Sequence, residues 1–137
     1  MSKKDYSRRH LSTDKYETDP WILAMYPPKY WYDPCPIDWT PDQPSGLDII
    51  WSHEMHIDDI GIFVNPPYSN PLPWVKKAIV ENRFHNETIV MLLKHDSSTK
   101  WFAALQEAGA KFLFVNGRLK YGTNRGAAFP SVLAILP

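Results

Sequence analysis

Apolar positions along this chain come in short blocks separated by proline, glycine and polar stretches, and the blocks are of two kinds. Continuous apolar runs at 60–64, 88–93, 111–115 and 131–136 predict strands buried on both faces, because a half-exposed strand would alternate. Between them, Trp74, Val75, Ala78 and Ile79 fall on one face of a helix over 71–83, with Ser69 or Asn70 to cap it. Residues 99–108 read as a second helix, closed by Gly109. Upstream, Thr18 as N-cap and Pro20 in the first turn predict a helix through the run 21–26, ended by Pro27 and Pro28. A short aromatic strand at 29–32 follows and is stopped by Asp33-Pro34-Cys35-Pro36. From 37 to 57 Pro41, Pro44 and Gly46 break the pattern, and only 47–51 suggests another strand or short helix.

The order from residue 60 onward is strand, helix, strand, helix, strand. Such alternation predicts an α/β domain with a parallel sheet and covering helices, whose ligand sites lie outside the carboxyl ends of the strands. A glycine-bearing loop over 116–126 then leads to the last strand, expected to pair with its predecessor as an antiparallel edge. With 137 residues the chain has room for one core. The polar stretch 1–15, with Lys3, Lys4, Arg8 and Arg9, reads as a flexible basic arm, and 16–137 as the domain.

Charge sharpens this picture. The formal net charge is zero, yet no Lys or Arg occurs between Tyr30 and Val75, where Asp33, Asp38, Asp42, Asp48, Glu54, Asp58 and Asp59 all lie. From Ala108 onward there is no acid, while Lys111, Arg118, Lys120 and Arg125 are basic. One stretch suits a cationic ligand and the other a phosphate backbone; solvated charge on two surfaces is the competing reading. The single Cys35 excludes an intramolecular disulfide, and the absence of an apolar leader or membrane-length run leads to the expectation of a cytoplasmic protein. His53 and His56 make a metal pair only if a third ligand joins them, so no metal is expected.

The candidate chemistry sits at Asn65-Pro66-Pro67-Tyr68, directly after the apolar run 60–64. An exocyclic base amine is a poor nucleophile because its lone pair is delocalised into the ring. A side-chain amide oxygen and a backbone carbonyl can accept both amino hydrogens, while an aromatic ring stacks on the base and orients it. Asn65, the Pro66 carbonyl and Tyr68 have these identities. Pro66 and Pro67 lock φ and remove N–H donors, which makes the turn rigid. The plain alternative is a proline-rich turn without chemistry; the strand before it and helix after it favour the functional reading. Cys35 has no base placed beside it and reads as a packing residue. Trp74, Trp101 and Phe102 fit core faces.

In chain order, the segments Tyr16-Glu17-Thr18-Asp19-Pro20, Tyr32-Asp33-Pro34-Cys35, Gly46-Leu47 with Trp51, Val64-Asn65-Pro66-Pro67-Tyr68-Ser69, Trp74-Val75, Val90-Met91-Leu92-Leu93, Lys100-Trp101-Phe102, Gly117-Arg118-Leu119-Lys120-Tyr121 and Phe129-Pro130-Ser131 resemble the phage-type DNA N6-adenine methyltransferase family. That family lies within the class I S-adenosylmethionine-dependent methyltransferases. The resemblance implies a single-domain, Rossmann-like class I sheet in reduced form with an antiparallel last strand. It also implies methyl transfer from S-adenosylmethionine to N6 of adenine in DNA, with Asn65, Pro66, Pro67 and Tyr68 as catalytic turn. The donor would lie near Thr18, Asp33 and Pro34, with Cys35, Asp48 and Asn65 among the cofactor contacts. Asp33 would meet the ammonium of the methionine part; capping a turn at the strand end is its other reading. Arg118 and Lys120 would meet phosphates, Tyr121 the extruded base, and Arg125 belongs to the same basic stretch; solvated loop charge is the alternative.

The chain departs from the class pattern at three places. The glycine-rich first loop is replaced by Asp33-Pro34-Cys35-Pro36, Ser45 stands where relatives often carry Asp before Gly-Leu, and the segment before Asn65 is short by about one strand. The acid that meets the cofactor ribose stays open among Asp38, Asp42 and Asp48. A separate target-recognition domain does not fit, so specificity falls to loops, the basic arm or a second copy in a homodimer. Cytosine N4, an RNA base or a protein glutamine presents a similar nitrogen, and a degenerate methyltransferase fold serving as a binding module is the rival outside the enzyme class.

Overall fold

The computed structural model describes the backbone of residues 18–120 and 128–137, and the side chains of 18–115 and 130–137. The basic arm, Tyr121 and Arg125 lie outside the described residues. The apolar runs form β2 (Gly61–Val64), β3 (Ile89–Lys94), β4 (Lys111–Lys120) and β5 (Ala128–Leu136). With the two-residue β1 (Trp31–Tyr32) they make one sheet in the order β1-β2-β3-β5-β4. β1, β2 and β3 run parallel, with Trp31 opposite Gly61 and Phe63 opposite Val90. β5 runs antiparallel to both its neighbours.

This order corrects the expected edge position of the last strand. β5 pairs with β4 as expected, but its other side pairs with β3 from Ile89↔Leu136 to Lys94↔Ser131. Val132, Leu133 and Ala134 are fully buried, so both faces of β5 need cover, and an interior position supplies it. β4 takes the edge instead, where Lys111, Leu113 and Phe114 are exposed. The predicted loop 116–126 is also shorter than expected. β4 runs on to Lys120 after a register shift between Phe114 and Arg118, and β5 starts at Ala128, so Arg118 and Lys120 lie on a strand.

Among the described residues four helices complete the fold: α1 (Pro20–Met25), α2 (Trp51–Glu54), α3 (Leu72–His85) and α4 (Lys100–Glu107). Thr99, read as the first helical residue, is instead the cap of α4 and accepts from the Phe102 N–H, while Gly109 at φ 82° ends the turn after it as the pattern predicts. At α3 neither Ser69 nor Asn70 is the cap; Pro71 holds that place without a side-chain bond, and its fixed φ is already near the helical value. The aromatic strand shrinks to Trp31–Tyr32 because Tyr30 closes a turn, its N–H donating to the Pro27 carbonyl at 2.9 Å. Ile60 is 66% exposed and stays outside β2. Residues 47–51 form no strand: Gly46–Asp48 is a 3-10 turn and Trp51 opens α2.

Packing sets this arrangement. One sheet face carries Ile62, Val64, Met91, Leu93, Val132 and Ala134 against Trp74, Val75 and Ala78 of α3 and Trp101, Phe102 and Leu105 of α4. The other carries Phe63, Val90, Leu92 and Leu133 against Ile22 of α1, with Tyr26 stacked on Phe63 at 5.2 Å. Each fully buried side chain of this size contributes about 1.5–3 kcal/mol, against about 1 kcal/mol for a helix cap, so burial rather than capping decides the strand order.

The segment between β1 and β2 contains no strand. It is held by Trp51, which is fully buried, donates Nε1–H to the Gly46 carbonyl at 2.7 Å and gives its backbone N–H to Glu81 Oε1 at 3.0 Å. Glu81 on α3 is 2% exposed and pairs through Oε2 with Lys77 Nζ at 2.9 Å. Both carboxylate oxygens are thus matched, which makes a buried charge tolerable there.

Candidate active site

β2 delivers Asn65-Pro66-Pro67-Tyr68 to the carboxyl end of the parallel strands. Asn65, Pro66 and Pro67 are buried and Tyr68 is half-buried. Asn65 Nδ2 donates to Thr18 Oγ1 at 3.1 Å, joining the turn to the residue just before α1. The cap of α1 is therefore Asp19 rather than Thr18. The Asp19 carboxylate reaches the Trp21 N–H at 3.1 Å, while the Thr18 hydroxyl is engaged by Asn65. An amide carries donor and acceptor on opposite arms, so holding Nδ2 on Thr18 sets the direction of Oδ1.

On the β3 side of the turn lies a cavity of about 260 Å³. Asn65, Pro66, Pro67 and Tyr68 form one wall, and Leu92, Leu93, Lys94, Asp96, Thr99 and Trp101 form the other. Lys94 Nζ stands 5.2 Å from the centre of the Tyr68 ring, within cation–π range. Ser98 donates to Asp96 Oδ1 from its hydroxyl at 2.6 Å and its N–H at 3.1 Å, and these bonds hold the Asp96 carboxyl below its usual range. Of this second wall, Leu92, Leu93 and Trp101 enter the sequence reading through the family-like segments, Trp101 also as core, and none as a site residue. The signal was present, since 88–93 reads as a parallel strand and its carboxyl end must lie beside that of 60–64.

On the β1 side, Asp33 is exposed at the strand end, and its Oδ1 accepts from the Cys35 N–H at 2.8 Å, the turn-capping geometry. Pro34 and Cys35 are buried; Cys35, at 4% exposure, is a packing residue. The Pro34 carbonyl approaches Gly46 so closely that a Cβ there would sit 2.0 Å from it. Tyr32, just before, has its hydroxyl pKa pushed up to about 12, chiefly by burial and then by the carboxylates of Glu54, Asp33, Asp59 and Glu81. Those carboxylates, apart from Glu81 on α3, belong to the acidic stretch between Tyr30 and Val75. Asp48 is exposed on the 3-10 turn and lines neither the large cavity nor the small one of about 50 Å³ beside Cys35 and Trp74.

His53 lies near His85, ring centres 6.2 Å apart, and no group of three metal-binding side chains occurs among the described residues. Trp74, Trp101 and Phe102 are buried in the core. Arg118 and Lys120 sit on β4, in register with Pro130 and Ala128. β3 ends at Lys94, opposite Ser131, so the β4–β5 ribbon runs past the same end of the sheet that carries the turn. No helix among the described residues is long and apolar enough to cross a membrane.

The chain is thus a mixed α/β domain with a buried Asn-Pro-Pro-Tyr turn and a cavity at its strand ends. The family model described as DNA N-6-adenine-methyltransferase (Dam) matches residues 38–129, and the chain belongs to that family. A DNA N-6-adenine-methyltransferase of Haemophilus phage HP1 (strain HP1c1) is 44% identical over 63 residues, 45% of this chain and 36% of that protein. One of Escherichia phage T1 is 39% identical over 69 residues, 50% of this chain and 26% of that protein. The matched stretches thus span well under half the length of either relative. No solved structure matches the chain.

Proposed function

We propose that this chain methylates N6 of adenine in DNA, taking the methyl group from S-adenosylmethionine, on a reduced class I methyltransferase sheet. The observation that carries this reading is the Asn65 amide. It is tied through Nδ2 to Thr18 and lines the cavity with Pro66, Pro67 and Tyr68. Family membership supplies the reaction class, and the parallel strands β1, β2 and β3 with the inserted antiparallel β5 support the sheet type.

The residues present fit a cationic donor on the β1 side. Asp33 is exposed at the end of β1, where its carboxylate caps the turn to Cys35, and a carboxylate is the group that would accept from an ammonium. Thr18, Pro34, Cys35 and Asp48 complete the candidate cofactor set. When bound, S-adenosylmethionine supplies an electrophilic methyl group. Asn65 stands between that side and the cavity, as β2 stands between β1 and β3.

An adenine turned out of the duplex would enter the cavity and stack on Tyr68. Asn65 Oδ1 and the Pro66 carbonyl would accept the two N6 hydrogens and orient the nitrogen lone pair toward the donor side. Arg118 and Lys120, on the ribbon that passes this end of the sheet, would hold phosphates. Tyr121 and Arg125 belong to the same proposal from sequence alone, as do the basic arm and a homodimer as sources of specificity. The host cytoplasm is the site of action that the two phage relatives imply.

The test is transfer of labelled methyl from S-adenosylmethionine to unmethylated DNA, followed by nucleoside analysis, with Asn65→Ala alongside. Label in N6-methyladenine that vanishes in the variant is the expected result. Label in another nucleoside, or equal label with Asn65→Ala, overturns it.

A further inference from the structure

The end of β3 sends alternate side chains to opposite places. Lys94 and Asp96 line the cavity, whereas His95 between them meets two phenylalanines, Phe102 at 6.3 Å and Phe114 at 4.9 Å between ring centres. Phe102 in turn stacks on Phe112 at 4.6 Å with the planes 9° apart. A row of rings therefore runs from the core to the surface. Its inner member Phe102 is 4% exposed, and its outer member Phe114, on the edge strand, is 56% exposed. His95 is exposed as well. Packing against α4 accounts for Phe102 and Phe112 but leaves the outer two rings open.

The backbone sets one cationic position near the open rings. The His95 N–H donates to the Pro130 carbonyl at 2.9 Å, and Pro130 is in register with Arg118. Arg118 therefore lies in the same crosswise row as His95, two strand spacings or roughly 10 Å away. A flat π surface one residue from a cavity wall, with the cationic position Arg118 on the same edge strand, suits a nucleobase and its backbone. Extruding one base from a duplex also exposes the faces of its neighbours, which then lack a stacking partner.

We propose that His95 and Phe114 form a stacking platform for the nucleobase next to the one presented to the cavity. This rests on the reading of the chain as a DNA base methyltransferase. A second copy paired along the β4 edge is the other occupant that Phe114 and the 48%-exposed Leu113 would fit, and the test separates the two.

The experiment measures binding of the full chain to a duplex with a single adenine, with 2-aminopurine at the neighbouring position as a fluorescent stacking probe. Phe114→Ala should weaken binding roughly tenfold, as loss of a base–aromatic stack does, and leave the probe brighter than with the wild type. Phe114→Trp should restore both. The dependence of affinity on salt should stay unchanged in Phe114→Ala, because no phosphate contact is removed. Equal affinity and probe signal in Phe114→Ala overturns the platform, as does an affinity loss accompanied by a dimer-to-monomer shift in sedimentation, or no DNA binding by the wild type. Methyl transfer is measured in parallel. Transfer by the wild type with no effect of Phe114→Ala removes the platform alone, whereas the binding and probe effects without any transfer remove the methyltransferase reading and leave the platform standing.

Discussion

Asn65 joins two parts of the site through one side chain, and its consequences can be separated by substitution. Asn65→Ala should lower kcat by at least about a hundredfold, the usual cost of losing one aligned polar group at a reacting centre, with less change in affinity for DNA. Thr18→Val keeps the shape and removes the acceptor for Nδ2. It should lower kcat by about tenfold, by releasing the amide orientation, with a smaller loss of S-adenosylmethionine affinity in calorimetry from its place in the candidate cofactor set. Unchanged kcat with lost cofactor affinity would place Thr18 in binding rather than orientation. Tyr32 gives a pH test. Its folded-state pKa is raised from 10.0 to about 12, so the folded chain holds that proton more tightly than the unfolded chain. The associated stability is complete below about pH 10 and declines as pH rises toward 12. Melting temperature should fall across that interval, and Tyr32→Phe should make the fall shallower.

Elements were legible where the deciding partner is close in sequence. α4 falls within the 99–108 read from the pattern and ends at Gly109 as predicted, because the Thr99 cap bonds within three residues and a left-handed glycine acts locally. Asp19 displaced Thr18 as a cap through a competitor 47 residues away, Asn65, which no local rule contains. Glu81 was unreadable for the same reason: it falls on the buried face of α3, and its partner Trp51 lies 30 residues upstream. Glu81→Leu should cost about 3–5 kcal/mol in chemical denaturation, the scale for breaking a buried charge pair, with α2 and the 3-10 turn loosened first. Gly46→Ala sets a Cβ against the Pro34 carbonyl. Because backbone must move, a loss of about 1–3 kcal/mol is expected, together with weaker S-adenosylmethionine binding if the Asp33 turn holds the donor.

At the scale of the whole molecule, the alternation of apolar runs was enough for an α/β sheet, and the 65–68 turn was placed correctly at a strand end. The position of β5 was not legible, because a strand apolar on both faces satisfies either an interior slot or a covered edge until its neighbours are known. The wall formed by Lys94, Asp96 and Trp101 depends instead on β3 ending beside β2, which the parallel pattern already implied, and it was overlooked. Placing Arg118 and Lys120 on a ribbon makes their role measurable: replacing both by Ala should reduce the log–log salt slope of DNA binding by about two. Unchanged slope would return them to solvated surface charge. The interior place of β5 also imposes an order of assembly on a chain emerging from the ribosome. β3 and β4 are made first but share no ladder, and the strand that joins them follows both. Until it arrives, each offers an open hydrogen-bonding edge to any other strand nearby, so the nascent protein is most exposed to mispairing in the interval between the synthesis of β4 and that of β5.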